Sequence, residues 1–134
     1  MVNISNNSHK LPYDGQCEVS LTVKIHSTEK EVHNVIIDTG LLTSSTYGLK
    51  VPFTLLDTAN FTLTGTVALA DGKPMNIKYI PAATITSLQG IELKKKVSVP
   101  TIFLGKRPLI GMMFLQTCLM NLDGPKKQAF IQWN

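Results

Sequence analysis

The chain has 134 residues, 43% hydrophobic and 16% charged. That balance buries enough apolar surface to offset the entropy of ordering, which excludes general disorder and suits one domain. Two cysteines, Cys17 and Cys118, are too few for a disulfide scaffold, no Cys/His cluster suggests a metal, and a net charge of +4 bears on solubility and weak steering only.

Residues 1–14 are polar and are expected to form a flexible segment, with a single domain over 15–134. From Gln16 to Ile25 apolar residues alternate (Cys17, Val19, Leu21, Val23, Ile25), which predicts a strand with one buried face. A charged turn, Ser27–Glu31, precedes a strand over Val32–Ile37. The continuous run Val35-Ile36-Ile37 suggests burial on both faces. Leu41–Leu49 is rich in hydroxyls, and Leu49–Leu56 suits a short strand or a helical turn around Pro52. Phe61, Leu63, Gly65, Val67 and Leu69 then alternate, Asp71-Gly72 supplies a two-residue type I′ turn, and Met75, Ile77 and Tyr79 resume the alternation. Two more strands follow, Ala83–Leu88 and Ile91–Val99, joined at Gln89-Gly90. The turn at Gly105-Lys106 lies between Phe103-Leu104 and Leu109-Ile110. Gly111–Met120 lacks the period of two and suits a short helix. Asp123-Gly124-Pro125 turns into a last strand, Ala129–Trp133. The pattern is all-β, with hairpins and one short helix, as in a small closed or partly open barrel.

The chemistry concentrates at Val35-Ile36-Ile37-Asp38-Thr39-Gly40. A carboxylate directly after a buried strand is partly desolvated and needs hydrogen bonds or a partner. Thr39 offers a hydroxyl, and Gly40 lets the backbone turn sharply. This segment resembles the active-site loop of the retropepsin-like aspartic proteases, apolar-apolar-Asp-Thr/Ser-Gly. Two further segments match in order. Leu69-Ala70-Asp71-Gly72 stands where the family has its flap hairpin. Leu109-Ile110-Gly111-Met112-Met113-Phe114-Leu115 stands where a strand enters the family's C-terminal helix. The resemblance spans Cys17 to Trp133 and is greatest to the single-domain cellular and prokaryotic branch. Leu41 departs from the usual Ala or Ser after the glycine. Ser44 matches a common Ser/Thr position, and Ser45 stands where an apolar residue is common.

The resemblance implies a retropepsin-like barrel with a flap and an aspartic endopeptidase without cofactor or metal. It also implies catalytic roles for Asp38, Thr39 and Gly40, with Ala70, Asp71 and Gly72 closing over a peptide or protein substrate. The chemistry needs two carboxylates sharing one proton, and the chain holds one Asp-Thr-Gly. A homodimer about a two-fold axis is therefore expected. Ala129–Trp133 is the candidate pairing edge, equally suited to an intramolecular strand, and Leu42, Ile80, Leu109 and Ile110 are candidate pocket residues that are equally suited to the core. The alternative is a non-proteolytic peptide-binding or dimerisation module of the same fold, which Leu41 and the single flap glycine favour.

Lys94-Lys95-Lys96 is the one basic run, and with 7% aromatics it suits a solvated strand edge rather than a nucleic-acid stripe. His26 and His33 are expected at the surface. Cys17 and Cys118 are expected to be packing residues. No apolar signal or membrane span is legible, so no membrane partner is expected and the cytoplasm is the expected location.

Overall fold

The computed structural model describes residues 8–13, 15–38, 48–58, 62–68 and 71–132. In chain order the elements are β1 (Ser8–Pro12), β2 (Glu18–Ile25), β3 (Thr28–Ile37), β4 (Leu49–Val51), a 3-10 helix (Phe53–Thr58), β5 (Leu63–Ala68), β6 (Pro74–Leu88), β7 (Ile91–Phe103), β8 (Leu109–Ile110), the four-residue helix α1 (Met112–Leu115), β9 (Leu119–Asp123) and β10 (Gln128–Gln132). Among the described residues no helix is long and apolar enough to cross a membrane.

The alternation in β2 is realised: Val19, Leu21, Val23 and Ile25 are buried. β2 pairs antiparallel with β3, and the ladder shifts where Ser20 faces both His33 and Asn34. Asn34 adopts a left-handed conformation (φ 56) at this bulge, and its side-chain amide donates to Glu18. The extra residue changes the phase of the strand. Val32 and Val35 are three apart in sequence, yet both face the core. Val35 is fully buried, whereas Ile36 and Ile37 are only half-buried.

Six strands close a ring in the order β2-β3-β8-β4-β7-β6, with β6 returning to β2. β6 makes closure possible because it is long. Its first half pairs with β5, its second half with β2, and β7 runs along its other side. The two strands expected on either side of Pro81 are thus one. Pro81 falls between Tyr79, the last partner of β5, and Thr84, the first partner of β2. The register with β7 also shifts between Ile80 and Ala83, so the missing N–H leaves no ladder bond unmade. A second sheet, β1-β10-β9, packs its Leu11, Ala129 and Ile131 into the same core as Val23, Ile85 and Phe103.

The turns depart from the expectation. β2 and β3 are joined at His26-Ser27, so Thr28–Glu31 belongs to a strand and not to a turn. Asp71-Gly72 is not a type I′ turn. The paired residues are Ala68 and Pro74, five residues lie between them, and only Gly72 (φ 85) is left-handed among the described ones. The two-residue turn with both φ positive is Gln89-Gly90 (φ 52 and 79), closed by Leu88 and Ile91. Gln89 is held there by Ser20, whose N–H donates to Gln89 Oε1 (2.7 Å) and whose carbonyl accepts the Gln89 N–H (2.8 Å).

Three further corrections concern the ends of the chain. Residues 8–12, expected in the flexible segment, form β1. β9 follows α1 where only a helix was expected. β10 is no edge: it is hydrogen-bonded by β1 on one side and β9 on the other, so it offers no free ladder to another chain. Trp133 lies outside the described residues. If β1 is part of the fold, Leu11→Ala should cost about 2–5 kcal/mol by urea unfolding, because Leu11 is fully buried. A change below about 0.5 kcal/mol, the size expected of a surface substitution, would contradict the docking of β1.

Candidate functional site

Asp38 is half-buried and stands directly after β3. Three main-chain bonds set its approach. Ile36 N–H donates to the Pro108 carbonyl (3.0 Å), Ile37 N–H to the Cys17 carbonyl (3.0 Å), and Asp38 N–H to the Ile110 carbonyl (2.9 Å). β8 runs parallel to β3, pairing Ile36 with Leu109 and Ile37 with Ile110. On its other side β8 pairs antiparallel with β4. A strand of two residues is thus inserted between two strands that are consecutive in sequence.

The far end of the Asp38 loop is held by the same insert. Gly48 N–H donates to the Pro100 carbonyl (2.7 Å), and the Gly48 carbonyl accepts the Gly111 N–H (3.1 Å). Gly48 has to be a glycine. A Cβ there would stand 2.8 Å from Met113 Cβ, 2.9 Å from Met113 Sδ and 3.1 Å from Val99 Cβ. Leu109-Ile110-Gly111 followed by Met112–Leu115 does what its pattern predicts, a strand that enters a short helix at Gly111. Ile80 and Ile110, candidates for pocket lining, are core residues, and Leu109 is half-buried.

Thr39, Gly40, Leu41, Leu42, Ser44 and Ser45 lie outside the described residues, as does Ala70. Asp71 and Gly72 are at the exposed tip of the β5–β6 hairpin. Asp71 Oδ1 accepts the Lys73 N–H (2.9 Å), and the φ of Gly72 favours glycine. At the base of this hairpin a cleft of about 340 Å3 is lined by Gly65, Thr66, Ile77, Tyr79 and Ile102. Gly65 makes room for the Tyr79 ring, since a Cβ there would meet Tyr79 Cε1 at 3.1 Å. By alternation alone Gly65 stands as one more apolar position. A glycine inside an alternating strand was the available signal of close approach.

The other reactive side chains are quiet. Burial pushes the Cys17 thiol up. It does the same to Cys118, where the Thr117 hydroxyl partly opposes it. Raised thiols are poor nucleophiles. His33 is an exposed residue, 3.5 Å from Glu31 and within hydrogen-bond distance of the Ser20 hydroxyl. Among the described residues, no three of His, Cys, Asp and Glu are grouped to hold a metal ion.

No family model matches the chain, and no curated protein matches it. Among solved structures it is similar to a retropepsin-like aspartic protease from Rickettsia conorii, with a TM-score of 0.53 over 99% of this chain and 98% of that one. The fold is retropepsin-like. At 13% identity the likeness concerns the fold, and within it the Asp38 loop and the β5–β6 hairpin are the features that the sequence singled out.

The grip on the loop can be tested at Gly48. Gly48→Ala should destabilise the protein by about 1–3 kcal/mol in thermal or urea unfolding, as overpacking does. Adding Met113→Ala should not restore it, because the nearest atom is the Cβ that alanine keeps. Full rescue would show that the side chain beyond Cβ, and not the backbone approach, sets the constraint.

Proposed function

We propose that the chain is an aspartic endopeptidase that works as a homodimer, with Asp38 of each copy forming one catalytic dyad. The observation that carries this reading is the placement of Asp38. A half-buried carboxylate follows β3 in a retropepsin-like fold, its backbone hydrogen-bonded to the inserted β8. One chain supplies one such aspartate. Two facing carboxylates share a proton because they cannot both ionise at short range. The ionised member takes a proton from a water between them, and the protonated member polarises the scissile carbonyl. The resulting diol collapses as the amide nitrogen accepts a proton. Thr39 would brace the two loops across the axis, and the Gly40 carbonyl would bind the substrate backbone. The hairpin with Asp71 and Gly72 at its tip, together with the preceding Ala70 in sequence, would cover an extended peptide and exclude water.

A second copy needs a surface, and β9 is the better candidate now that β10 is internal. β9 is an outer strand of its sheet and carries Leu119 and Leu122, 51% and 54% exposed. Its sequence LMNLD has no lysine or proline to discourage edge pairing. It follows α1, so pairing there would act close in sequence to the Gly111 that holds the Asp38 loop.

Wild-type protein should cleave a denatured protein substrate at mildly acid pH, and a statine-type peptide that mimics the diol should inhibit it. Asp38→Asn should lower the cleavage rate at least about a thousandfold while leaving the unfolding curve in place. Leu119→Lys should shift the protein to a monomer in sedimentation and lower activity in proportion. Cleavage that survives Asp38→Asn would refute the dyad. Unchanged sedimentation and activity in Leu119→Lys would refute β9 as the interface.

A further inference from the structure

Next to α1, β7 carries a feature that the Asp38 chemistry does not use. Its register with β6 passes from Ile85–Val97 to Ser87–Glu92, so Leu93–Lys96 face the single Thr86 and bulge from the sheet. The bulge displays Lys94, Lys95 and Lys96, all exposed. Away from β6, β7 is paired by β4 only at Thr101–Phe103. Leu93–Ser98 therefore has no ladder partner on that side among the described residues. Between this stretch and α1 lies a cavity of about 460 Å3, inside the range of about 300–1,000 Å3 typical of ligand pockets. Leu93, Val97 and Phe114 form its apolar lining, and Lys95, Lys96 and Thr117 its polar one.

We propose that this face of β7 binds an acidic, extended peptide, with one apolar side chain in the cavity and carboxylates against the three lysines. Charge decides the occupant. Lys96 has Glu92 at 3.4 Å, whereas Lys94 and Lys95 have no carboxylate within ion-pair distance among the described residues. An unpaired stretch of strand supplies main-chain donors and acceptors to an extended chain, and the cavity supplies a side-chain pocket. A nucleic acid fits less well, because the one aromatic residue at the cavity, Phe114, is buried and offers no exposed ring for base stacking. The proposal does not require Asp38 to be catalytic.

The test uses the full chain carrying Asp38→Asn, so that bound peptide is not consumed. The probe is a fluorescein-labelled 12-residue peptide of Glu and Ser with one central Leu, read by polarisation at low salt. Binding should weaken at least about tenfold in the Lys94→Ser, Lys95→Ser, Lys96→Ser triple variant, whose unfolding curve should be unchanged. It should also weaken at least about tenfold when Glu is replaced by Gln, and several-fold when the Leu is replaced by Ser. Equal binding by the triple variant, or by the Gln peptide, overturns the proposal. So does absence of binding by the acidic peptide. Displacement of the peptide by oligouridylate at lower concentration than by unlabelled peptide also overturns it, by identifying a phosphate surface instead.

Discussion

Two residues organise this molecule. Ile110 accepts the Asp38 N–H and Gly111 donates to the Gly48 carbonyl, so one short insert holds the residues on either side of 39–47. Without it, β3 and β4 would be joined only by that loop, and β3 and β4 would have no common neighbour in the barrel ring. The insert also explains two sequence features. Gly111 stands where β8 gives way to α1, and Gly48 lets the backbone approach Met113 closely. Asp38 and Gly48 are thus positioned by main-chain bonds to residues distant in sequence.

The bulge at Asn34 acts upstream of the same site. A strand alternates faces strictly, so one inserted residue exchanges the faces of everything beyond it. Val32 and Val35 both reach the core because of that insertion. The strand then delivers Asp38 with the opposite parity to the one that an uninterrupted β3 would give. In the proposed mechanism this parity decides whether the carboxylate can meet its symmetry mate, which makes a remote, exposed asparagine part of the geometry of the site.

The edges of the sheets divide the surface by chemistry. The ring of six strands removes most edges, and β10 is covered on both sides. Among the described residues, two of the open edges differ in character. β9 presents leucines without a guarding lysine, while the part of β7 with no ladder partner on one side among the described residues presents three lysines and a cavity. The first suits a self-complementary apolar contact and the second an anionic chain. Lysine on an open strand discourages aggregation in either case, so at β7 the protective reading and the binding reading are compatible.

Much of this was legible in the sequence. Strict alternation located β2 and the β5–β6 hairpin, because period two is a local property of the chain. Asp38 after a run of apolar residues marked the candidate site, and Leu109-Ile110-Gly111 marked the strand that enters a helix. Turn chemistry misled at Asp71-Gly72, where the pairing of Ala68 with Pro74 makes a longer loop, and the left-handed pair fell at Gln89-Gly90, which Ser20 holds in place. Pro81 stands between two segments expected as separate strands, yet it lies where no ladder bond is required. β1 and β9 were missed since each is short and gains its partner only from β10. The sequence by itself determined an all-β chain with a single Asp-Thr-Gly after an apolar run, because those depend on neighbours along the chain. Only the tertiary structure decided which glycine is crowded, which strand is an edge and what holds the loop, because those depend on bonds between residues far apart in sequence.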